Sequence, residues 1–403
     1  MARKSEISRR DLLKLGAGTG AMAFVGRDLL FPVAAAQEGE AATALPQVPR
    51  RILGKTGQSV PILLQGGSMS LDTRFDPKLA EAVRFGVNYF DAGANYAGGN
   101  CESAIGNFIE TSDVSRDQVW VTSKSHIHDP LGLEQTLDEG LIRLKSGYFD
   151  MYFLHGLKDP LFLDAEMKNL VERLQKEGKI RHFGFSCHDG NVVELLNKAA
   201  DTAWIDAVMF RYNFDQYGNK ELNDAMDRCF KAGVGLIAMK TQRSEVSFQK
   251  EWQKFAVGKW TKQQAVLKAV WADERIAAAV SHMDTFDKLK QNIAAALDDV
   301  ELGQAEWEEL ERYGAATRSA ACDGCDHICG PAVDEPVQIG ATLRYLMYHD
   351  VYGEQEKART LFRKLPIEAQ RLCGIDYTAA AARCPRGVDI ARHMQRAAEV
   401  FQA

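Results

Sequence analysis

The sequence predicts an α/β protein in which a (β/α)8 TIM barrel is followed by a small, mostly helical C-terminal domain. Eight short apolar runs alternate with amphipathic stretches between Arg50 and about Leu302. Runs such as Met151–Leu154 show no alternation of apolar and polar residues, which is typical of parallel strands covered by helices. No Gly-x-Gly-x-x-Gly motif follows the first run, and this disfavours a doubly wound sheet.

Length and composition narrow the class of protein further. A chain of 403 residues suits one large barrel plus a smaller unit. The 26% of charged and 46% of hydrophobic residues exclude collagen-like, low-complexity and disordered proteins. The formal charge of −6 includes no basic excess, so we expect no nucleic-acid partner. Beyond the N-terminus no apolar run reaches about 18 residues, so we expect no membrane span in the mature chain.

The N-terminus has the organisation of an export signal. Four basic residues within residues 1–11 precede a Gly/Ala-rich apolar stretch that ends in three alanines, Ala34 to Ala36. The string from Ser8 to Lys14 resembles a twin-arginine signal, which implies export of the folded protein by the twin-arginine machinery to the periplasm or another extracytoplasmic space. We therefore assign residues 1–36 to the signal and 37–49 to a linker. Arg27 and Asp28 interrupt the apolar stretch, and this leaves an uncleaved amphipathic segment as the alternative.

The barrel elements follow in order from the apolar and amphipathic patterns. The predicted strands cover residues 63–67, 88–91, 118–123, 151–155, 182–186, 206–210, 234–239 and 278–281. The predicted helices between them include residues 133–145, 166–177, 191–200, 219–232 and 262–273. The segment 51–57 is a candidate hairpin that plugs the bottom of the barrel. In the C-terminal part, residues 339–365 and 390–401 have helical spacing of apolar residues.

Chemically active side chains stand at the ends of three consecutive predicted strands. Asp91 ends the second strand and is followed by Tyr96, Lys124 ends the third strand, and His155 ends the fourth. Barrel enzymes place their active sites at these carboxyl ends. A tyrosine in a loop more often packs and a strand-end lysine more often reaches solvent, but together the four residues favour an acid–base site. We expect the lysine ammonium to lower the pKa of the tyrosine so that it can protonate a carbonyl oxygen.

Several strings in the segment from Arg50 to Leu310 resemble the aldo/keto reductase family. They are Leu53–Gly57, Phe90–Tyr96, Glu102 with Gly106, Thr122–Lys124, Arg143–Leu144, Asp150–His155 and Gly178–Ser186. The resemblance implies a barrel domain over residues 50–312 that transfers a hydride from a nicotinamide cofactor to a small carbonyl substrate. It also implies that Tyr96 is the general acid, that Lys124 and Asp91 tune it, and that His155 orients the substrate.

The same resemblance implies a dinucleotide site after the later strands. Family members commonly hold the nicotinamide amide with Ser, Asn and Gln, and here those positions carry Ser186, Cys187 and Met209. The segment from Ser281 to Asn292 matches the region that holds the adenosine phosphate, with Asn292 well aligned. Lys288 stands where an arginine often grips the 2′-phosphate, so the choice between NADP and NAD stays open. A solvated helix residue is the alternative for Lys288.

The C-terminal cysteines form a ligand pattern. Cys322, Cys325 and Cys329 are spaced C-x2-C-x3-C, and Cys384 is followed by a proline. This arrangement resembles half of a two-cluster ferredoxin, in which the Cys-Pro cysteine ligates the cluster of the other motif. It implies one [4Fe–4S] cluster in a ferredoxin-like domain over residues 313–403. A zinc site with four cysteine ligands and disulfide pairing are the alternatives, and Cys373 falls outside the set.

Two functions compete on the sequence alone. The first is an exported, NAD(P)H-dependent oxidoreductase of the aldo/keto reductase type with an accessory cluster, which would need a redox partner protein if the cluster passes electrons. The second is a periplasmic electron-transfer or binding protein that keeps the barrel without carbonyl reduction. Cys187 and Met209, which replace the usual amide-binding residues, favour the second function.

Overall fold

The computed structural model describes residues 45–188, 190–242, 258–320, 322–350 and 353–402. The predicted export signal over residues 1–36 and the first part of the predicted linker lie outside these residues. Leu45 onward forms one compact unit that contains both the barrel and the C-terminal segment. Within the described segments, no helix is both long and apolar enough to cross a membrane.

Eight parallel strands close into a barrel, which confirms the predicted fold class. The strands pair in chain order from β3 to β10, and β10 pairs with β3 to complete the circle. Together with the two strands of an N-terminal hairpin they are β1 (Arg50–Ile52), β2 (Ser59–Pro61), β3 (Leu63–Gly66), β4 (Tyr89–Asp91), β5 (Trp120–Ser125), β6 (Phe149–Leu154), β7 (Ile180–Cys187), β8 (Ala207–Arg211), β9 (Gly235–Met239) and β10 (Ile276–Ser281).

Helices follow the barrel strands and continue into the C-terminal segment. The described helices are α1 (Pro77–Arg84), α2 (Asn100–Thr111), α3 (Pro130–Leu144), α4 (Ala165–Lys176), α5 (Val192–Ala200), α6 (Lys220–Lys231), α7 (Lys262–Trp271), α8 (Phe286–Leu297), α9 (Gln304–Thr317), α10 (Asp326–Cys329), α11 (Ile339–Asp350), α12 (Gln355–Arg363), α13 (Thr378–Ala382) and α14 (Ile390–Phe401). The prediction of one helical stretch over 339–365 was wrong, because α11 and α12 are separate and Gly353 between them has a φ of 68°.

Side chains alternate along each strand between the barrel interior and the layer under the helices. On β5, Trp120 faces the interior cluster and Val121 faces the helix layer. Asp91, Lys124 and His155 share the parity of the interior residues, so the mouth of the barrel receives them. The C-terminal helices have a core of their own, in which the rings of Phe362 and Phe401 stack 4.6 Å apart.

The N-terminal hairpin closes the opposite end of the barrel, in agreement with the expectation for residues 51–57. Leu53, which is fully buried, belongs to the interior cluster of the barrel. The Arg51 guanidinium donates to the carbonyl oxygens of Trp271, Asp273 and Ile276 at distances of 2.6–3.1 Å. These carbonyls surround the start of β10, so Arg51 joins the hairpin to the last strand.

We predict that Arg51→Met lowers the free energy of unfolding by about 2 kcal/mol, because three carbonyl oxygens lose a charged donor. Urea denaturation measures the change. Arg74→Met is the control, since Arg74 is 81% exposed and its ion pair with Asp72 lies on the surface. Equal losses for the two variants would contradict the role given to Arg51.

Candidate active site at the barrel mouth

A buried ion pair lies at the centre of the mouth. Asp91 ends β4, and Lys124 lies near the end of the adjacent strand β5. The Lys124 Nζ atom is 2.5 Å from Asp91 Oδ1 and 2.6 Å from the Ala92 carbonyl oxygen. Burial raises the pKa of the Asp91 carboxyl, and the nearby Lys124 ammonium opposes that effect. Asp91 is only 3% exposed and Lys124 only 1%. The attraction between the two charges is therefore the main interaction that offsets the cost of removing each from water.

Tyr96 reaches the mouth from the loop after β4. The backbone N–H of Ala94 donates to the Lys124 carbonyl oxygen at 3.1 Å and so ties the loop to β5. A Cβ atom on Gly93 would lie 3.3 Å from the Tyr96 ring, so glycine lets the ring lie close over the backbone. The Lys124 Nζ atom is 4.8 Å from the centroid of that ring. The residue as a whole is partly buried.

The expectation that Lys124 lowers the pKa of Tyr96 was wrong for this arrangement. Burial raises the pKa of Tyr96 well above 10, and the Asp91 carboxylate adds to the rise. The Lys124 ammonium faces Asp91 and a carbonyl oxygen, which offset its charge. The phenol of Tyr96 therefore stays protonated throughout the physiological pH range, ready to donate a hydrogen bond or a proton.

His155 lies against the Tyr96 ring. The two ring centroids are 5.4 Å apart with an interplanar angle of 86°. The His155 backbone N–H donates to the Ser125 carbonyl oxygen at 2.8 Å, which fixes the chain at the end of β6. Burial, followed by the charge of Lys124, lowers the pKa of His155 well below 6.5. A neutral imidazole next to a protonated phenol provides two groups that can hydrogen-bond one carbonyl oxygen.

A second buried ion pair supports the loop that carries Tyr96. Glu102, on α2, is fully buried, and its Oε2 atom is 2.6 Å from Nε of Arg143 on α3. Its other oxygen accepts a hydrogen bond from the Ser123 hydroxyl, one residue before Lys124. A Cβ atom on Gly140 would lie 2.9 Å from the Glu102 carboxylate, so this glycine provides the space for it. Glu102 and Arg143 thus hold α2, α3 and β5 together.

The residues predicted for the nicotinamide take different positions. Ser186 faces inward and accepts a hydrogen bond from the Gly156 N–H at 2.9 Å, next to His155. Met209 belongs to the interior cluster of the barrel. Cys187 has the opposite parity and lies in the hydrophobic layer under the helices. Ser186 is therefore at the mouth, Met209 can offer only apolar contact, and Cys187 is not brought to the mouth.

The residues predicted for the adenosine phosphate divide into two groups. The Ser281 hydroxyl accepts a hydrogen bond from Asn292 Nδ2 at 2.8 Å and donates to Gln242 Oε1 at 2.7 Å. These three residues form a network between the end of β10 and α8. Lys288 instead lies on the surface, where its Nζ atom is 2.8 Å from the Asp284 carboxylate. Gln242 was not predicted from the sequence, because nothing in its local pattern distinguishes it from a loop glutamine.

Two cations at the mouth were also missed. Arg211 ends β8 with inward parity, and Met239, its register partner on β9, is followed by Lys240. Lys240 has a left-handed backbone with a φ of 57°. The Lys240 side chain is exposed to solvent and lies near the positive charges of Arg344 and Arg211. The strand-end rule used for Lys124 would have identified both residues if it had been applied to these later strands.

The predicted cluster ligands share one region of the C-terminal segment. Cys329 belongs to the C-terminal core, and Cys322 and Cys384 pack against it. All eight cysteines lie in the described residues, and none of them forms a disulfide bond. Among the described side chains, no three His, Cys, Asp or Glu are already positioned to hold a metal ion. Burial raises the pKa of Cys322 to about 12 and that of Cys329 to about 11.

The closed eight-stranded barrel defines the class of fold, and comparison with known proteins identifies the family. The sequence profile of the aldo/keto reductase family matches residues 64–311, so the chain belongs to that family. An uncharacterized oxidoreductase of Bacillus subtilis, YqkF, is 29% identical over 171 residues, which are 37% of this chain and 52% of that protein. The L-galactose dehydrogenase of Arabidopsis thaliana is 24% identical over 212 residues, which are 48% of this chain and 65% of that protein.

Solved structures agree on the fold. An aldo-keto reductase from Klebsiella pneumoniae in complex with NADPH has a TM-score of 0.52 and 23% identity, covering 68% of this chain and 95% of its own. The holo form of an aldo-keto reductase from Bacillus halodurans has a TM-score of 0.55 and 19% identity, covering 66% of this chain and 96% of its own. The chain spans about half the length of the first curated relatives it matches, so this agreement concerns the barrel.

We predict that Glu102→Gln destabilises the fold by about 3 kcal/mol, because it leaves the Arg143 guanidinium without its buried carboxylate. Chemical denaturation measures the loss. Glu110→Gln is a matched control on the same helix, since Glu110 pairs with Lys145 of the segment after α3 but is 58% exposed, and it should cost well under about 1 kcal/mol. Similar effects of the two substitutions would show that Glu102 has no special supporting role.

Proposed function

We propose that this protein reduces a small carbonyl compound with NADPH or NADH and that Tyr96 is the general acid. The observation that carries the proposal is the placement of two donors, Tyr96 and His155, above the buried Lys124–Asp91 pair. A carbonyl oxygen that enters the mouth can accept hydrogen bonds from both donors. Backbone hydrogen bonds fix the chain at His155 and tie the loop that carries Tyr96 to β5, so the two donors are placed to orient the carbonyl before reaction.

Each residue then has a defined role. A bound nicotinamide supplies the hydride that reduces the carbonyl carbon. Tyr96 gives its phenolic proton to the oxygen, on which negative charge develops. The raised pKa of Tyr96 does not prevent this step, because an alkoxide, like hydroxide, is a far stronger base than a phenolate. Asp91 keeps the Lys124 ammonium in place, and this ammonium, 4.8 Å from the centroid of the Tyr96 ring, helps to position the phenol. His155, held neutral, donates a hydrogen bond without competing for the proton.

Support for a dinucleotide cofactor comes from the charges around the mouth. Lys240 provides positive charge directly after β9, where phosphate groups would be attracted. The Ser281, Asn292 and Gln242 network offers polar contacts next to α8. The proposal covers both NADPH and NADH, because Lys288 supplies a point charge rather than a bidentate fork.

We further propose that Cys322, Cys325, Cys329 and Cys384 bind one [4Fe–4S] cluster and that residues 1–36 direct export of the folded protein. The thiol environment fits a cluster. The Gly324 N–H points to Cys322 Sγ at 3.3 Å and the Val388 N–H to Cys384 Sγ at 3.4 Å, and such donors stabilise thiolate ligands. Because the thiols of Cys322 and Cys329 are protonated at neutral pH, cluster binding releases protons and stabilises the segment.

A second function is favoured by one observation on the nicotinamide side of the mouth. Cys187 lies under the helices and Met209 has no polar group, so neither replaces the usual amide contacts. A barrel that binds the dinucleotide weakly would act as a periplasmic electron-transfer or binding protein. Fluorescence titration of the mature protein with NADPH and NADH separates the two functions. Binding supports the reductase, and the absence of binding by either dinucleotide supports the second function.

We predict that Tyr96→Phe lowers the rate of carbonyl reduction by about 10²–10⁴-fold while NADPH binding persists, because only the proton donor is lost. Since the pKa of Tyr96 lies well above 10, wild-type activity should not decline through titration of this phenol between about pH 6 and pH 9. Steady-state kinetics with an aldehyde panel measure both effects. Tyr148→Phe, next to the start of β6 at the other end of the barrel, is the control. Unchanged turnover of the Tyr96 variant would refute the general-acid role.

For the cluster, we predict about four iron and four sulfide per chain after anaerobic purification. Cys384→Ser should remove most of the iron and the broad visible absorption, because one of the four ligands is lost. Cys373→Ser should retain both, since Cys373 is exposed and contacts Gln402 instead. Stoichiometric zinc, or disulfides with no metal, in the wild-type protein would contradict the proposal.

A further inference from the structure

The two cysteine segments lie against the barrel mouth. On the barrel side, a Cβ atom on Gly190, in the loop after β7, would lie 2.7 Å from Cys325 Cα and 2.4 Å from the His327 ring. The first cysteine segment therefore packs directly on this loop. Arg211, which ends the neighbouring strand β8, is 3.0 Å from Asp323, the residue after Cys322. The site proposed for the cluster is thus in contact with the carboxyl ends of two barrel strands.

A chain of alternating charges links both cysteine segments to the barrel. Arg211 pairs with Asp323 at 3.0 Å, and Asp323 is 3.6 Å from Arg386, two residues after Cys384. Arg386 also pairs with Asp215, in the loop after β8, at 3.1 Å. This series of ion pairs begins and ends on the barrel and includes one residue of each cysteine segment. Its two positive and two negative charges balance.

Arg386 is the member with the most connections. Its guanidinium contacts Asp215 and Asp323, and its Nε donates to the Arg318 carbonyl oxygen at 3.0 Å. Arg318, directly after α9, in turn donates to the Pro385 carbonyl oxygen at 2.7 Å. The Arg386 side chain is 12% exposed and the Asp215 side chain 9%, so solvent screens this pair little. A fork of five N–H donors suits several simultaneous acceptors, which a lysine cannot serve in the same way.

We propose that Arg386 is a positioning residue that assembles the four-cysteine site on the barrel mouth before any iron binds. The inference rests on the proposed function, in which these four cysteines hold a cluster. Cys384 lies far along the chain from the other three ligands, and the contacts of Arg386 with Asp323 and the barrel bring the two segments together without a metal. Iron then meets two cysteine segments that are already held next to each other beside the strand ends of the mouth, and the four thiols complete their arrangement around it.

The test measures thiol proximity in the full mature protein from which iron has been removed under reducing, anaerobic conditions. Dibromobimane joins two nearby thiols, and peptide mass spectrometry gives the fraction of Cys384 joined to segment 322–329. We expect efficient joining in the wild-type protein. Arg386→Met should lower it roughly tenfold, which corresponds to about 1.4 kcal/mol. Arg386→Lys should restore part of the yield, because it keeps one charge contact.

Controls separate positioning from general destabilisation. Arg392→Met, which changes an exposed arginine on α14, should leave the yield unchanged. Asp323→Asn, which weakens the links to Arg211 and Arg386 together, should reproduce the loss and provides the test if Arg386→Met does not fold by circular dichroism. A wild-type yield in a folded Arg386→Met variant overturns the proposal and assigns the assembly to the C-terminal core alone.

Iron analysis of the reconstituted proteins tests separately whether Arg386 brings the two cysteine segments together and whether the four cysteines bind a cluster. A wild-type protein that joins Cys384 as expected but takes up no iron supports the role of Arg386 and overturns the cluster. A wild-type protein that takes up iron but shows no joining before iron is added overturns assembly by Arg386 and leaves the cluster intact. Slower iron uptake by Arg386→Met, with recovery in Arg386→Lys, supports both.

Discussion

The ion pair between Lys124 and Asp91 is the interaction on which the rest of the mouth depends. An ammonium and a carboxylate that are almost fully removed from water are tolerable only because they face each other at 2.5 Å. The pair fixes the ends of β4 and β5 relative to each other. Its charge also sets the state of its neighbours, since Lys124 helps to keep His155 neutral and Asp91 helps to keep Tyr96 protonated. The same pair therefore influences both the geometry of the site and the protonation states of Tyr96 and His155.

Support for this pair comes from layers that face away from the mouth. Glu102 and Arg143 connect helices α2 and α3 to Ser123, which lies on β5 beside Lys124 but points under the helices. Because successive residues of a strand point to opposite faces, the inward residues form the mouth and their neighbours pack under the helices and support it. It also explains the contrast between Ser186, which lies at the mouth, and the adjacent Cys187, which is enclosed by hydrophobic side chains.

Much of the fold and part of the site could be predicted from the sequence because both follow local patterns. Unbroken apolar runs define the barrel strands to within a few residues, and the strand-end rule brings Asp91, Lys124 and His155 together. The raised pKa of Tyr96 could not be predicted, because it depends on how completely Asp91 offsets the Lys124 charge in three dimensions. The contact between Arg386 and Asp215 could not be predicted from the sequence either, since the two residues are 171 positions apart.

The hairpin at the barrel bottom has a consequence for how the chain folds. Arg51 and Trp271 are 220 positions apart in sequence, and β3 pairs with β10 near the same two points. The circle of strands therefore cannot close until the last of its strands has been synthesised. Contacts between such distant segments require large loops to form first, which makes closure a slow step in folding. Before closure, β3 and β10 are open edges that can pair with other chains, so this period is the one in which the protein is most exposed to aggregation.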